Sequence, residues 1–438
     1  MLQKFKQHIA DSFPFLKDKK LLIAISGGVD SVVLTRLFLE LGYSIALAHC
    51  NFKLREKESD LDESFVIELG NKLKLKTFTT QFKTQQFSEE NKLSTQVAAR
   101  DLRYKWFKEL LKENHFDYIL TGHHADDNLE TFLINLTRGT GLEGLTGIPA
   151  TNGNVVRPLL VFSRDEILAY AKENQIDWRE DQSNSETKYL RNKIRHTVIP
   201  TLKEINPNLL KSFEKTSGFL QESEQIIKNK IKELRLEVIT QEKSNIKIDI
   251  EKLQKLPNVK AYLYHLLKDY GFTEWNDIND LLIAQSGKQV FSKTHRLLKD
   301  RTFLILSESK TIPSDQEGNL YVIQENEFEI NEPISLKLEP ISKIGERKDN
   351  CIYVDGDLLK FPLSIRKWQH GDYFYPSGMR GKKKLSKYFK DEKFSLLEKE
   401  NSWLLCNSGN EIIWIVGKRQ DNQFLATNKT TNILKITY

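Results

Sequence analysis

The run KLLIAISGGVDSVVLTRLFLELG, residues 20–42, constrains the fold more than any other stretch. Residues 20–26 form an apolar segment too short for a helix, as expected of a strand buried on both faces. A Ser-Gly-Gly turn follows, then helical periodicity from Ser31 to Gly42, a residue suited to end a helix. Strand, glycine turn and helix in direct succession make a phosphate cradle, because free N–H groups at a helix start attract an anion. Gly27 and Gly28 let the backbone approach a ligand, Ser26 and Ser31 add hydroxyls, and Val29 and Asp30 complete the turn. The loop has neither the lysine of GxxxxGK[ST] nor the spacing of GxGxxG. A plain glycine turn, with Asp30 or Ser31 as helix N-cap, is the structural alternative.

The alternation continues. Residues 43–51, 74–82 and 118–123 read as strands, and 94–114 and 125–139 as helices. This pattern predicts a doubly wound, mostly parallel α/β sheet. Such sheets bind ligands beyond the carboxyl ends of their strands, where Ser26, His49 and His123 fall. Residues 210–285 read as helical, and strand-rich patterns return at 288–307 and after 350. The expected domains are a nucleotide-binding domain over 1–210, a helical middle over 211–310, a linker or edge over 311–350 and a small α+β domain over 351–438.

Length agrees with this division, since 438 residues exceed one ordinary core. The three cysteines, Cys50, Cys351 and Cys406, stand far apart and form neither a CxxC pair nor a metal spacing. No segment has the run of apolar residues that a signal peptide or membrane span needs. The expectation is a cytoplasmic protein with no membrane partner. A net charge of +6 permits an anionic partner without demanding one, so charge clustering matters more.

Three clusters carry the chemistry. In TGHHADDNLET, residues 121–131, helical spacing puts His123, Asp127 and Glu130 on one face. Those carboxylates can hold Mg²⁺, bind an ammonium group or act as a general base. The bland alternative is a solvated acidic helix with a capping histidine. Zinc is disfavoured because no HExxH or third spaced ligand is present. Farther on, Arg191 and Arg195 are spaced i, i+4, a fork suited to phosphate or a polarised carbonyl, or else a basic surface helix. AARDLRY adds Arg100 and Arg103, and the four glycines of RGTGLEGLTG predict a tight loop without helix. Near the end, Arg380, Lys382, Lys383, Lys384, Lys387 and Lys390 crowd around Tyr388 and Phe389. Nucleic-acid backbone suits such a patch, although a solvated charged loop would look the same.

SGGxDS resembles the pyrophosphate loop of the ATP pyrophosphatases. Together with HCNFKLR, AARDLRY, TGHHADDNLET, RGTGLEGLTG, RPLL and RNKIRH in this order, it resembles the tRNA(Ile)-lysidine synthetase family. The resemblance covers residues 20–200, weakens over 286–306 and returns at 368–394 and 412–419. One departure is Phe52, where the family usually has a second histidine. The resemblance implies that the wobble cytidine of a CAU-anticodon isoleucine tRNA is adenylated by ATP and then joined to free L-lysine. It implies that Ser26, Gly27, Gly28, Val29, Asp30, Ser31, His49, Arg100 and His123 meet ATP, with Asp30 toward Mg²⁺. It further implies Asp127 and Glu130 for lysine, and Arg191 and Arg195, with Asp30 and the two acids, for catalysis. Arg380, Lys382, Lys383, Lys384 and Lys387 would bind tRNA. Oligomeric state stays open, a homodimer included. The nearest rival is a tRNA 2-thiocytidine-type thiolase, which needs paired cysteines that this chain lacks. GMP- or NAD-forming relatives would have no use for the basic patch, and an RNA-binding protein would not need an intact loop.

Overall fold

The computed structural model describes residues 1–179, 190–242, 245–309, 320–346, 348 and 350–438. The chain forms two compact units, Met1–Lys228 and Asn229–Tyr438.

The first unit opens with α1 (Leu2–Ser12) and then alternates β1 (Leu21–Ala24), α2 (Val29–Glu40), β2 (Ile45–Asn51), α3 (Glu56–Leu73) and β3 (Thr77–Gln81). Two helices, α4 (Thr84–Glu90) and α5 (Thr95–Asn114), lead into β4 (Tyr118–Thr121) and α6 (Ala125–Arg138). A one-turn α7 (Leu142–Leu145), a hairpin of β5 (Thr151–Asn152) and β6 (Val155–Val156), and α8 (Arg164–Glu173) follow. After them come α9 (Leu190–Lys193), a π-helical turn Ile194–Val198, α10 (Ile199–Ile205) and α11 (Leu209–Val238), whose last residues belong to the second unit. The glycine-rich loop thus contains the turn of helix α7, which the sequence did not announce.

The sheet order is β3-β2-β1-β4-β6-β5, parallel except for β5 against β6. It is the doubly wound architecture expected. Apolar β1, with Leu21, Leu22 and Ile23 fully buried, occupies the centre because both of its faces are covered. One face packs α1, α2 and α8 through Phe5, Val33, Phe38, Phe162 and Ile167. The other packs α5 through Phe107 and Leu110. Strands are added outward from β1 on one side as β2 and β3, and on the other as β4 and β6, so the turns after parallel β1 and β4 open on the same crevice.

That crevice needs a close approach. A Cβ on Gly122, in the turn after β4, would lie 3.1 Å from the backbone of Asp30 and Ser31. Only glycine lets the β4 turn press on the start of α2.

In the second unit, Ile239–Glu242, Asn245–Asp249, Gln289–Phe291, His295–Asp300 and Phe303–Glu308 form an antiparallel sheet against short helices. Helices dominate 209–238 and 250–280 as expected, but the strands at 239–249 were not legible beforehand. Two four-stranded antiparallel sheets follow, packed around Trp414, Ile365, Leu405 and Ile436. The stretch expected as linker or edge contributes strands Tyr321–Ile323, Glu329–Ile330 and Leu336–Ile341; residues 310–319 lie outside the described ones. Leu336 and Leu338 are core residues, so charge elsewhere on the segment masked a half-buried strand.

Gly122→Ala should cost about 1 kcal/mol of stability, because backbone must shift, and should weaken ATP binding. Urea unfolding and an ATP titration check both.

Candidate active site

The turn after β1 has the expected cradle shape. Gly27 has φ +92, a conformation side chains rarely adopt, and Gly28 is the N-cap of α2, replacing the Asp30 or Ser31 cap considered from sequence. The Ser31 hydroxyl faces inward, donating to the Gly28 carbonyl at 2.9 Å and accepting the Ser26 N–H at 3.2 Å. Ser31 therefore shapes the loop, while exposed Ser26 keeps its hydroxyl near the surface. Val29 buries its side chain in the core and can offer a ligand only its N–H.

Asp30 is the unusual member. Its Oδ1 is buried without a hydrogen-bond partner, and its Oδ2 lies 3.8 Å from His124 Nε2. Burial pushes this carboxyl above its ordinary range, against the opposing charge of His124. An orphaned carboxylate oxygen beside a phosphate cradle fits a hydrated Mg²⁺, which takes one or two carboxylates plus substrate phosphates. Among the described residues no three His, Cys, Asp or Glu side chains form a metal cage.

Helix α6 begins at the same crevice. His124 is its N-cap, in a reciprocal capping box with Asp127. It is also buried among Asp30, Asp126 and Asp127, at 3.8, 3.8 and 3.4 Å. The capping role held in reserve is real, and it coexists with the acidic cluster. His123 bonds Thr121 Oγ1 at 2.9 Å, and burial lowers its pKa to about 4, so it is neutral near pH 7.

The two acids of α6 have different surroundings. Glu130 is 1% exposed and bonded on both oxygens: Arg191 Nε donates to Oε2 at 2.8 Å and Arg195 Nε to Oε1 at 2.5 Å. Asp127 Oδ1 lies 3.4 Å from Arg191 Nη2 and 3.2 Å from Arg195 Nη2. The acid face of α6 and the arginine fork are therefore one buried network rather than two separate devices. Glu130 holds both arginines, accepting on each of its two oxygens. Burial raises the Asp127 carboxyl, but the charges of His124 and Arg191 outweigh it and hold the pKa below its ordinary value. For Arg195, burial is outweighed by the bonds to Glu130, which raise its pKa. The apolar side of α6 seats the assembly, with Leu129 and Phe132 against Ile194, Ile199 and Phe213. The π-helical turn places Arg195, and such turns often mark functional positions.

Beside the loop, a cleft of about 280 Å³ is lined by Ser26, His49, Phe52, Arg55, Asp62 and Arg103 among others. His49 is buried, its Nδ1 2.9 Å from the Ile25 carbonyl and its Nε2 without a partner. Arg103 reaches this cleft, over the Phe52 ring at 5.2 Å, whereas Arg100 is exposed and rests on Tyr104 at 5.0 Å. Arg103 therefore lines the cleft in this structure, and Arg100 lies outside its lining. A cue existed, because Arg103 shares its helical face with buried Phe107. Phe52, the departure from the family pattern, stacks on Phe82 with centroids 5.7 Å apart.

In the second unit the basic cluster sits on Lys383–Lys384 and the helix Leu385–Asp391. Lys383 pairs with Asp391 at 2.8 Å and is largely covered, while Arg380, Lys382, Lys384, Lys387 and Lys390 are exposed. Tyr388 and Phe389, expected between the cations, are core residues. The exposed aromatic partner is Tyr373, under Lys382 Nζ at 3.2 Å.

Comparison with known proteins now identifies the chain's relatives. Residues 1–202 match a PP-loop domain, 241–310 a TilS substrate binding domain and 363–436 a TilS substrate C-terminal domain. The tRNA(Ile)-lysidine synthase of Parabacteroides distasonis is 40% identical over 96% of this chain and 96% of its own. That of Bacteroides thetaiotaomicron is 40% identical over 99% and 98%, and that of Bacillus subtilis 30% over 92% and 91%. The chain belongs to the tRNA(Ile)-lysidine synthase family.

It is an ATP-using ligase that joins lysine to tRNA. Thiolase chemistry has no support in the thiols. All three cysteines are free, and burial pushes Cys50 up to about 12 and Cys406 to about 11, far from a reactive thiolate. Among the described residues, no helix is long and apolar enough to cross a membrane.

Glu130→Gln should cost about 3 kcal/mol in urea unfolding, because it leaves buried arginine charge unpaired. His123 binds no proton in the fold until about pH 4, whereas an unfolded histidine binds one below about 6.5. Stability therefore rises with pH across that window. His123→Gln should flatten the rise when unfolding is measured from pH 4 to 7.

Proposed function

We propose that the crevice between β1 and β4 carries both half-reactions, with the Ser26–Ser31 loop and the α6 network dividing the work. In the first, O2 of the wobble cytidine attacks the ATP α-phosphate and pyrophosphate departs. The N–H groups of Gly28 and Val29 and the Ser26 hydroxyl would hold the leaving pyrophosphate. Asp30 would hold Mg²⁺, whose positive charge would offset that of the phosphates. Arg103 and His49 would line the nucleoside end. In the second half-reaction the lysine ε-amine attacks C2 and AMP departs.

The observation that carries this reading is the Glu130–Arg191–Arg195–Asp127 network beside the loop. Glu130 would fix the arginines, and 44% exposed Arg191 would offer its open edge to the AMP phosphate or cytosine carbonyl. Asp127 would supply negative charge for the lysine ammonium. Its lowered pKa makes it a weak base, so charge rather than proton abstraction would be its contribution. The basic face around Arg380, Lys384 and Lys387 would bind tRNA backbone in the cytoplasm.

Labelled lysine should enter CAU-anticodon isoleucine tRNA when ATP and Mg²⁺ are supplied; no transfer would refute the reading. Asp30→Asn should abolish pyrophosphate release, whereas Asp127→Asn should leave it detectable and raise the lysine KM by about tenfold or more. Replacing Arg380, Lys384 and Lys387 together by Glu should reduce the slope of log affinity against log salt by about 2–3, roughly one per phosphate contact. Filter binding across salt concentrations measures it.

A further inference from the structure

The nucleotide loop lacks a cation of its own, and Arg164 stands close by without a role. It is the first residue of α8, whose start is fixed by a capping box between Ser163 and Glu166. The Arg164 N–H donates to Asp126 Oδ2 at 2.9 Å, and the Ala125 N–H donates to the Phe162 carbonyl, also at 2.9 Å. These bonds fasten residues 162–164 to the first turn of α6, beside His124 and so beside Asp30. The Arg164 side chain makes no hydrogen bond or ion pair among the described residues, yet its Nε is buried. An Nε–H that gives up water without gaining a partner is costly, and the charge it carries favours an anionic ligand. Its charge is felt at Asp30, where it opposes the effect of burial. Two opposite charges thus lie near one another without pairing to each other, each with a buried atom unsatisfied.

We propose that Arg164 is the cation of the Ser26–Ser31 loop, binding the β- and γ-phosphates of ATP and then the departing pyrophosphate. A planar fork suits phosphate oxygens, and a cation supplied from α8 leaves the loop itself free to carry Asp30. The inference rests on Ser26–Ser31 being the pyrophosphate loop.

The full chain with Arg164→Ala, and with Arg164→Lys, tests it by calorimetric titration with ATP, pyrophosphate and AMP in the presence of Mg²⁺. Arg164→Ala should weaken ATP and pyrophosphate about 10- to 100-fold, as loss of a charged hydrogen bond does. AMP should stay within about twofold, and lysine should restore part of the loss. Equal weakening of all three ligands would mark a folding role and overturn the proposal. Unchanged pyrophosphate affinity would overturn it as well. Gly28→Val separates the two ideas. If it too leaves pyrophosphate binding intact, the loop reading has failed along with the proposal. If it destroys binding while the Arg164 variants are silent, only the arginine's role has failed.

Discussion

Burial of Glu130 against Arg191 and Arg195 is the interaction on which the rest of the site depends. A carboxylate at 1% exposure is tolerable only when its charge is matched and its oxygens are bonded. Both conditions are met by residues some sixty positions farther along the chain. The pairing joins α6 to α9 and its π-helical turn, and it brings Asp127 under the same guanidinium groups. Asp127 stays an anion because those charges outweigh its burial. Breaking the pair would therefore disturb fold, arginine placement and carboxylate charge together.

The switch point supplies the second constraint. Only where the order of strand addition reverses can the turn after β1 and the turn after β4 share a crevice. Gly122 allows them to touch, and His124 then spans the loop acid and the α6 acids. This geometry collects negative charge beside the loop proposed to hold phosphate. Cations reach the same part of the unit from elsewhere: Arg103 from α5, Arg191 and Arg195 from the segment after α8, and Arg164 from α8 itself. In the second unit the division differs, since exposed Arg380, Lys384 and Lys387 face water while Tyr388 and Phe389 anchor their helix in a core. Cations kept at the surface suit a long polyanion, whose binding is governed by phosphate contacts.

Much of this was legible in the sequence because it is local. The strand–SGG–helix turn, the capping pattern of α6 and the alternation of strands and helices follow from nearest-neighbour chemistry and period. The family resemblance added the reaction and its substrates. Less visible were strands 239–249 and 336–341, whose lysines and acids hide a half-buried pattern, and α7, whose glycines look too flexible for a helical turn. Arg100 and Arg103 have the same charge and lie on one helix, so local sequence does not say which of them reaches the cleft. Only contact with Phe52 tells them apart.

By itself the sequence determined the nucleotide loop, the order of the first sheet's elements and the inventory of acids and cations. Those depend on periodicity, glycine placement and residue chemistry, all properties of short segments. Tertiary structure alone decided which charges neutralise one another. It turned Glu130 inward to hold arginines, left Asp30 with an unpaired oxygen and brought an unpartnered Arg164 beside it. Pairing of this kind rests on distances between segments far apart in the chain, and on how much water each pair loses, and neither quantity is written in local sequence.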